Sequence, residues 1–203
     1  MIGMVIEGAA FSELGEYFEK FPETSQQAMR MALNDVARGK GMKMIRKEMT
    51  DEIAFAKSYL NGSRLGITKR ATNANPEVVI TARKRATSLA RFTTSKGVSR
   101  DGVSVRVKKG KTTYLKKAWL VRLNKGASKD EDNYNVGLAV RVGSGESISN
   151  KKTAHQSWLV KDKVALLYAP SVNQVFSAVA DRVAEPISSI VAAEYLRQMS
   201  RLL

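Results

Sequence analysis

The sequence predicts an α+β fold in which N-terminal helices precede a central antiparallel sheet with a basic outer face, and a long C-terminal helix packs on the sheet. Apolar residues recur at helical spacing near both ends of the chain, and the middle alternates apolar with basic residues. The 203 residues are 43% hydrophobic, which suffices for a sizeable core. We expect one domain over 1–203, with a helical arm at 1–60, a basic β-rich middle at 61–165 and a C-terminal helix at 170–203.

The N-terminal arm is predicted to contain two helices. Apolar residues recur at helical spacing over 11–21, and Pro22 ends that pattern. Thr24 and Gln27 have the spacing of a capping box, so the second, longer helix is expected to begin there and to bend at Gly39 and Gly41.

The segment that follows is predicted to contain one more helix. Ile53, Ala56, Tyr59 and Leu60 have helical spacing, and the Asn-Gly pair at 61–62 would end the helix.

Four segments of the middle are predicted to be strands, at 77–81, 103–107, 115–123 and 136–142. The inner face of the last three would carry Val103, Val105, Val107, Leu115, Lys117, Trp119, Val121, Leu123, Leu138, Val140 and Val142. The outer face would carry Arg106, Lys108, Lys116, Arg122 and Arg141. Polar loops at 93–102 and 124–135 are expected to become ordered only on assembly.

The C-terminal third predicts the longest helix. Pro170 and Ser171 would open it, Gln174 would complete a capping box, and Pro186 would kink it. Its apolar side would consist of Val172, Val175, Phe176, Val179, Val183, Ile187, Ile190, Val191, Leu196 and Met199. Trp119, Tyr168 and Phe176 are the expected aromatic anchors of the core.

The net charge of +15 is concentrated in the middle of the chain. Residues 61–129 contain 18 Lys and Arg against two acids, or +16, and the remainder is −1. Such a segment attracts polyanions or acidic protein surfaces, although a solvated face that confers solubility is the alternative. The residues expected to contact DNA or a partner are Arg83, Lys84, Arg85, Arg106, Lys108, Lys109, Lys116, Arg122 and Arg141.

No recognition motif for a nucleic-acid sequence accompanies this charge. The sequence contains no helix-turn-helix, RNP or zinc-finger pattern, and Phe92, Tyr114 and Trp119 are too scattered to form a base-stacking platform. We therefore expect any contact with DNA to be independent of base sequence.

The sequence offers little for catalysis or metal binding. Cysteine is absent and His155 is the single histidine, which excludes disulfides, Cys-type zinc sites and His clusters. A hydrolase pairing His155 with Ser157 or Ser147 is conceivable, but an ordinary packing histidine is the favoured interpretation. Gly143-Ser144-Gly145 is interpreted as a turn. We therefore expect no enzymatic activity, no cofactor and no metal. We also expect no membrane partner, since no apolar stretch approaches the roughly 18 residues of a membrane span.

One run of residues resembles a known family. The run is Leu167-Tyr168-Ala169-Pro170-Ser171-Val172-Asn173-Gln174-Val175-Phe176, and a long amphipathic helix ending in Tyr195-Leu196-Arg197 follows it. The run and this helix resemble the C-terminal signature of the minor tail protein Z family, the tail-completion proteins of long-tailed bacteriophages. The alanine-rich early helix at 28–37, the basic segment and the strand near Asn75-Pro76 are similar to further features of the same family.

The resemblance implies a structural role in the virion. Copies would assemble in the host cytoplasm into a ring, expected to be a hexamer, at the head-proximal end of the tail. Their partners would be the tail terminator, the tail tube, the head–tail connector proteins and the phage DNA in the channel. The family supplies no catalytic residues. A general non-specific DNA-binding protein remains the alternative function.

Overall fold

The structure, a computed structural model, describes residues 3–7, 19–56, 58–94, 102–123, 136–141, 159–160 and 164–203. The chain forms two compact units. The first unit consists of Met1–Thr50, Leu60–Lys84 and Val172–Leu203, and the second unit consists of Asp51–Tyr59 and Arg85–Ser171. The segment expected to be a basic middle is therefore divided between the units, because residues 61–84 belong to the first.

The named elements follow one another in this order. They are β1 (Gly3–Glu7), α1 (Pro22–Arg38), α2 (Lys40–Glu52), β2 (Leu65–Lys69), β3 (Glu77–Ala82), β4 (Thr87–Ser88), a short 3-10 helix (Leu89–Phe92), β5 (Val103–Lys108), β6 (Lys111–Leu115), β7 (Ala118–Arg122), β8 (Val136–Arg141), β9 (Leu159–Val160), β10 (Val164–Ala169) and α3 (Val172–Leu202).

The N-terminal helices differ from the prediction at their start. α1 begins at Pro22, and its N-cap Phe21 makes no side-chain capping bond, so the capping box expected at Thr24 is wrong. Proline suits the first helical position because its fixed φ matches the helix and its missing N–H would have no helical partner there. The predicted interruption is confirmed, since Gly39 separates α1 from α2. Most of the helix expected at 11–21 lies outside the described residues.

The helix predicted through Ile53 to Leu60 is wrong. Phe55 stacks on Tyr59 with ring centroids 5.4 Å apart and packs against Phe92 at 5.8 Å. The backbone N–H of Ala54 donates to the carbonyl of Val107 at 2.7 Å. Tyr59, one of the residues at apparent helical spacing, thus belongs to an aromatic cluster with Phe55 and Phe92 of the second unit. β2, which follows in the first unit, has no counterpart in the prediction.

The core of the first unit lies between α1, α3 and a three-stranded antiparallel sheet of order β1-β3-β2. α1 and α3 pack against each other, and both contact β3. Val78 and Ile80 of β3 are fully buried, as are Phe176 and Tyr195 of α3. Tyr195 is absent from the predicted apolar side, whereas Leu196, predicted to belong to it, is 44% exposed.

The second unit contains the remaining strands. β4, β10, β8 and β7 form an antiparallel sheet in that order, β9 pairs with β10, and β5 pairs with β6. Its core consists of Ala90, Val103, Val105, Ala118, Leu120, Val136 and Leu138. The α+β prediction, with N-terminal helices, antiparallel strands and a long C-terminal helix packed on strands, is confirmed.

The single strand predicted at 115–123 is wrong. β6 ends at Leu115, a turn at Lys116 and Lys117 follows, and β7 begins at Ala118. The turn shifts the alternation by one residue, so Ala118 and Leu120 are buried in β7, while Trp119 is half-buried. Tyr168 is half-buried as well, and of the three expected aromatic anchors only Phe176 is fully buried.

Several predicted features lie outside the described residues. They are most of the loop at 93–102, the loop at 124–135, Val142, Gly143-Ser144-Gly145, Ser147, His155 and Ser157. Of the helices within the described ranges, none combines the length and the apolar character that a membrane crossing requires.

Candidate functional site on the hairpin of β5 and β6

Most of the predicted contact residues of the second unit lie on or beside the hairpin of β5 and β6. Val103 pairs with Leu115 and Ser104 with Tyr114, and the register shifts before the last pair, Lys108 with Lys111. The connecting turn is Lys109-Gly110, where Gly110 has a φ of 74°. Glycine adopts this left-handed conformation without steric cost, which allows the short turn.

The base of the hairpin is fixed by burial and backbone bonds. Val103 and Val105 are 0% and 4% exposed. Thr93 forms a bridge with Val105, and the N–H of Thr94 donates to the carbonyl of Ser104 at 3.0 Å. β5 is therefore held on the core of the second unit, whereas residues 111–114 of β6 are all exposed.

The hairpin and the turn after it carry six exposed cations: Arg106, Lys108, Lys109, Lys111, Lys116 and Lys117. We call this set the cationic hairpin. No Asp or Glu occurs in residues 102–122. Within the described part of the chain, Lys109 has an acidic partner, Asp51, and the other five have none. Arg106 Nε lies 3.4 Å from the hydroxyl of Thr112.

The arrangement of Lys108 and Lys111 is electrostatically unfavourable. They are directly paired across the two strands, and like charges in that position destabilise a hairpin. Their exposure to water limits the repulsion, because the high dielectric constant of the solvent weakens the interaction between the two charges. A polyanion that binds between the two ammonium groups would replace repulsion with attraction, so the site is suited chemically to phosphate or carboxylate oxygens.

Tyr114 is the one aromatic residue of the hairpin, and it is 58% exposed. A Cβ atom added to Gly102 would lie 2.6 Å from Tyr114 Oη, so the phenol ring end lies against the backbone of Gly102. Gly102 has a φ of 125°, a conformation that L-residues rarely adopt. Glycine at this position therefore allows both the backbone conformation and the close approach of the ring.

Arg141 lies near the turn between β6 and β7. Its guanidinium carbon is 6.0 Å from the ring centroid of Trp119. Ala118 pairs with Val140, so Lys117 and Arg141 occupy the next position along the two strands. Arg122 is at the other end of β7, five residues beyond Lys117 and about 17 Å from it at the usual rise per residue. The predicted outer face is thus not continuous, because Arg122 is separated from Lys116 and Arg141.

The three consecutive basic residues at 83–85 do not belong to the cationic hairpin. Arg83 and Lys84 lie in the first unit and Arg85 begins a segment of the second. Arg83 is half-buried, its N–H donates to the carbonyl of Arg64, and its carbonyl accepts from Asn173. Lys84 and Arg85 are exposed.

The candidate site also contains residues that the sequence reasoning left out. Lys111 and Tyr114 were not selected, and Lys117 was assigned to the inner face although it is exposed in a turn. The Lys109-Gly110 pair was the available signal, since glycine between alternating segments indicates a hairpin turn.

A separate polar cluster connects α1 with α3 in the first unit. Gln198, 1% exposed, donates through Nε2 to Glu194 at 2.7 Å and to Asp35 at 3.3 Å. Arg197 binds both carboxylate oxygens of Glu194, and this bonding holds the pKa of Glu194 below its ordinary value. Gln198 also accepts from Arg201. Every contact in this cluster is internal, so it stabilises the helix pair.

Searches of protein-family models, curated proteins and solved structures give no match to this chain. Among the residues that the structure describes, no group of three or more His, Cys, Asp or Glu side chains is placed to hold a metal ion.

Proposed function

We propose that this chain is a non-enzymatic structural protein, a tail-completion subunit of a long-tailed bacteriophage that forms a ring at the head-proximal end of the tail and enables head–tail joining. The observation that carries the proposal is the cationic hairpin, a fixed element whose charges repel one another in the isolated subunit. Such a surface is suited to an assembled state in which it meets a polyanion or an acidic neighbour.

The run of residues that resembles the tail-completion family supports the proposal. Leu167, Tyr168 and Ala169 end β10, Pro170 and Ser171 connect, and Val172 begins α3. The run therefore covers the end of a strand, a two-residue connection and the start of a helix.

The charge is distributed unevenly between the two units. The first unit contains 15 basic and 11 acidic residues, a net +4, and the second contains 19 and 8, a net +11. Both units are net positive, so a ring would depend on local contacts between different surfaces of neighbouring copies, which close when the rotation between copies allows it. A ring repeats each surface around one axis, so the hairpins of all copies would act together.

Reconstitution tests the proposal directly. Tails assembled without this protein should gain a ring at one end in negative-stain images after the purified chain is added, and should then join filled heads. Sedimentation should show a closed oligomer, either alone or on tail tubes. Absence of both the ring and the recovered joining would contradict the proposal.

A charge-reversal pair sharpens the same experiment. Arg106→Glu with Lys108→Glu should impair joining while leaving the fold intact, because exposed charges contribute little to stability. Lys43→Glu with Arg46→Glu, two exposed cations of α2, is the control with the same change in net charge and should have the smaller effect. Equal effects would show that the hairpin has no special role.

The alternative function is that of a general DNA-binding protein, and the same cationic hairpin favours it. That function predicts binding to free DNA with a steep dependence on salt and no requirement for phage tails. Normal binding to DNA together with failure to act on tails would select it.

A further inference from the structure

We propose that the cationic hairpin binds the phosphates of duplex DNA, with Lys108 and Lys111 as a cross-strand pair that holds neighbouring phosphate oxygens. This inference rests on the proposed function, since the resemblance implies phage DNA in the channel of the ring. It concerns a property of the single subunit, however, and is tested without the ring.

The shape of the hairpin fits a duplex. Adjacent strands lie about 4.8 Å apart, and the major groove of B-DNA, about 12 Å wide, admits a two-stranded ribbon. Four successive residues of β6, from Lys111 to Tyr114, are exposed, so the outer strand is accessible to a large ligand. The turn at Lys109-Gly110 places Arg106, Lys108, Lys109 and Lys111 together at the narrow end of the ribbon.

The composition of the surface favours DNA over an acidic protein. Stable protein interfaces depend on buried aromatic or aliphatic residues at their centre. Besides half-buried Val107 and Leu115, the exposed part of the hairpin offers Tyr114, and its ring end already lies against Gly102. Phosphate binding requires cations that point into water and needs no apolar centre.

The same residues favour duplex over single-stranded DNA. Proteins that bind single strands stack several bases on aromatic side chains. The hairpin has one aromatic residue, and contact with Gly102 restrains it. Lysine recognises phosphate as a point charge, so the binding would be independent of sequence.

Asp51 is placed to compete with DNA at the narrow end. Its carboxylate forms an ion pair with Lys109, and both side chains are partly exposed, at 44% and 58%. A phosphate that approaches Lys109 must displace or share this partner. Removing the negative charge at Asp51 should therefore strengthen binding.

The test is a fluorescence anisotropy titration of a labelled mixed-sequence duplex with the full chain, from about 50 mM to about 200 mM salt. Lys108→Gln with Lys111→Gln is the test variant, and Lys43→Gln with Arg46→Gln, two exposed cations of α2, is the control with the same change in net charge. Asp51→Asn removes a negative charge and is the variant expected to strengthen binding. Poly-glutamate is the competing polyanion.

We expect the hairpin variant to bind between about tenfold and about a hundredfold more weakly near 0.1 M salt, and to lower the slope of log K against log salt by about 2. The α2 variant should bind like the wild type, and Asp51→Asn should bind more tightly. Equal weakening in both double variants would overturn the proposal, because binding would then follow net charge alone.

Two further outcomes would also overturn it. One is the absence of wild-type binding to duplex DNA at low salt. The other is displacement by poly-glutamate at lower charge concentration than by unlabelled duplex, which would indicate an acidic protein partner. Neither result affects ring formation on tails, so the failure of this inference is distinguishable from the failure of the proposed function. If the double variant does not fold, Asp51→Asn still tests the proposal. Binding of DNA by Asp51→Asn that is unchanged or weaker than that of the wild type would contradict a role for the narrow end of the hairpin.

Discussion

The two units differ in how their buried and exposed residues are arranged. The first unit buries one face of two long helices against three strands, and its charges are nearly balanced. The second unit combines a cluster of small and branched residues with the buried aromatic residues Phe55, Tyr59 and Phe92, and its cations are presented on exposed strands and turns. Both units therefore depend on buried side chains, and the hairpin of the second depends in addition on the backbone geometry at Gly102.

This difference separates the requirements of folding from those of binding. A helix pair with a buried amide such as Gln198 between Asp35 and Glu194 offers internal bonds and little for a partner. A hairpin with Lys108 paired to Lys111 carries a repulsion that a bound anion would relieve. We infer that the first unit serves as the framework and that the second carries the interaction surface.

The largest expected effect is in the first unit. Phe176→Ala removes a side chain that is 1% exposed and should lower the free energy of unfolding by about 3 to 5 kcal/mol, measured by urea denaturation. Leu196→Ala on the same helix, at a position 44% exposed, should change it by about 0.5 kcal/mol or less. A loss below about 1 kcal/mol at Phe176 would contradict the dependence of this unit on large buried side chains.

The next effect tests backbone geometry in the second unit. Gly102→Ala introduces a Cβ atom 2.6 Å from Tyr114 and 2.8 Å from the carbonyl of Leu115, at a φ of 125°. We expect a loss of about 2 to 4 kcal/mol by the same measurement. Gly110→Ala, with positive φ but open space, should cost about 1 kcal/mol. Equal costs would show that the contact with Tyr114 is unimportant.

A smaller effect depends on pH in the first unit. Bonding to Arg197 holds the pKa of Glu194 below its ordinary value of 4.5, so the folded state favours the ionised form. Its contribution is complete above the unfolded-state value and is lost as the pH falls through the lower folded value. Glu194→Gln should therefore be less stable than wild type at neutral pH, and the difference should shrink below pH 4.5 in urea titrations. A difference that does not depend on pH would rule out this linkage.

The smallest effect is expected at the cationic hairpin. Neutralising Lys108 and Lys111 with glutamine should leave the midpoint of thermal unfolding unchanged or slightly higher, because it removes a like-charged pair. A clear decrease, measured by circular dichroism at low salt, would mean that these lysines stabilise the second unit. That result would contradict the inference that the first unit provides the framework and the second the interaction surface.

Much of the secondary structure was predictable because one period dominates each element. The alternation of β5 and the helical spacing of α3 each extend over a whole element, so β5 and α3 lie where expected. The helix predicted through Ile53 is wrong because three or four apolar residues fit several backbone conformations. The contact of Phe55 with Phe92, from another segment, stabilises a different conformation here. No local pattern reveals such distant partners.

The candidate site was predictable in composition but not in geometry. The excess of basic residues identified Arg106, Lys108 and Lys109, while the undetected turn at Lys116 displaced the predicted inner face by one residue. A shift of one residue exchanges the two faces of a strand. Arg122 was therefore grouped with residues from which the length of β7 separates it.

The first unit is assembled from segments that the second interrupts, and this order matters during synthesis. Every element of the second unit precedes α3 in the chain, so that unit can fold on the ribosome while α1 still lacks its partner helix. The part of α1 that packs on α3 has no helical partner until α3 has left the exit tunnel, whereas β3, which α1 also contacts, is made earlier. A nascent chain stalled before Val172 would therefore carry a folded hairpin in the second unit and an incompletely packed first unit that is prone to aggregate.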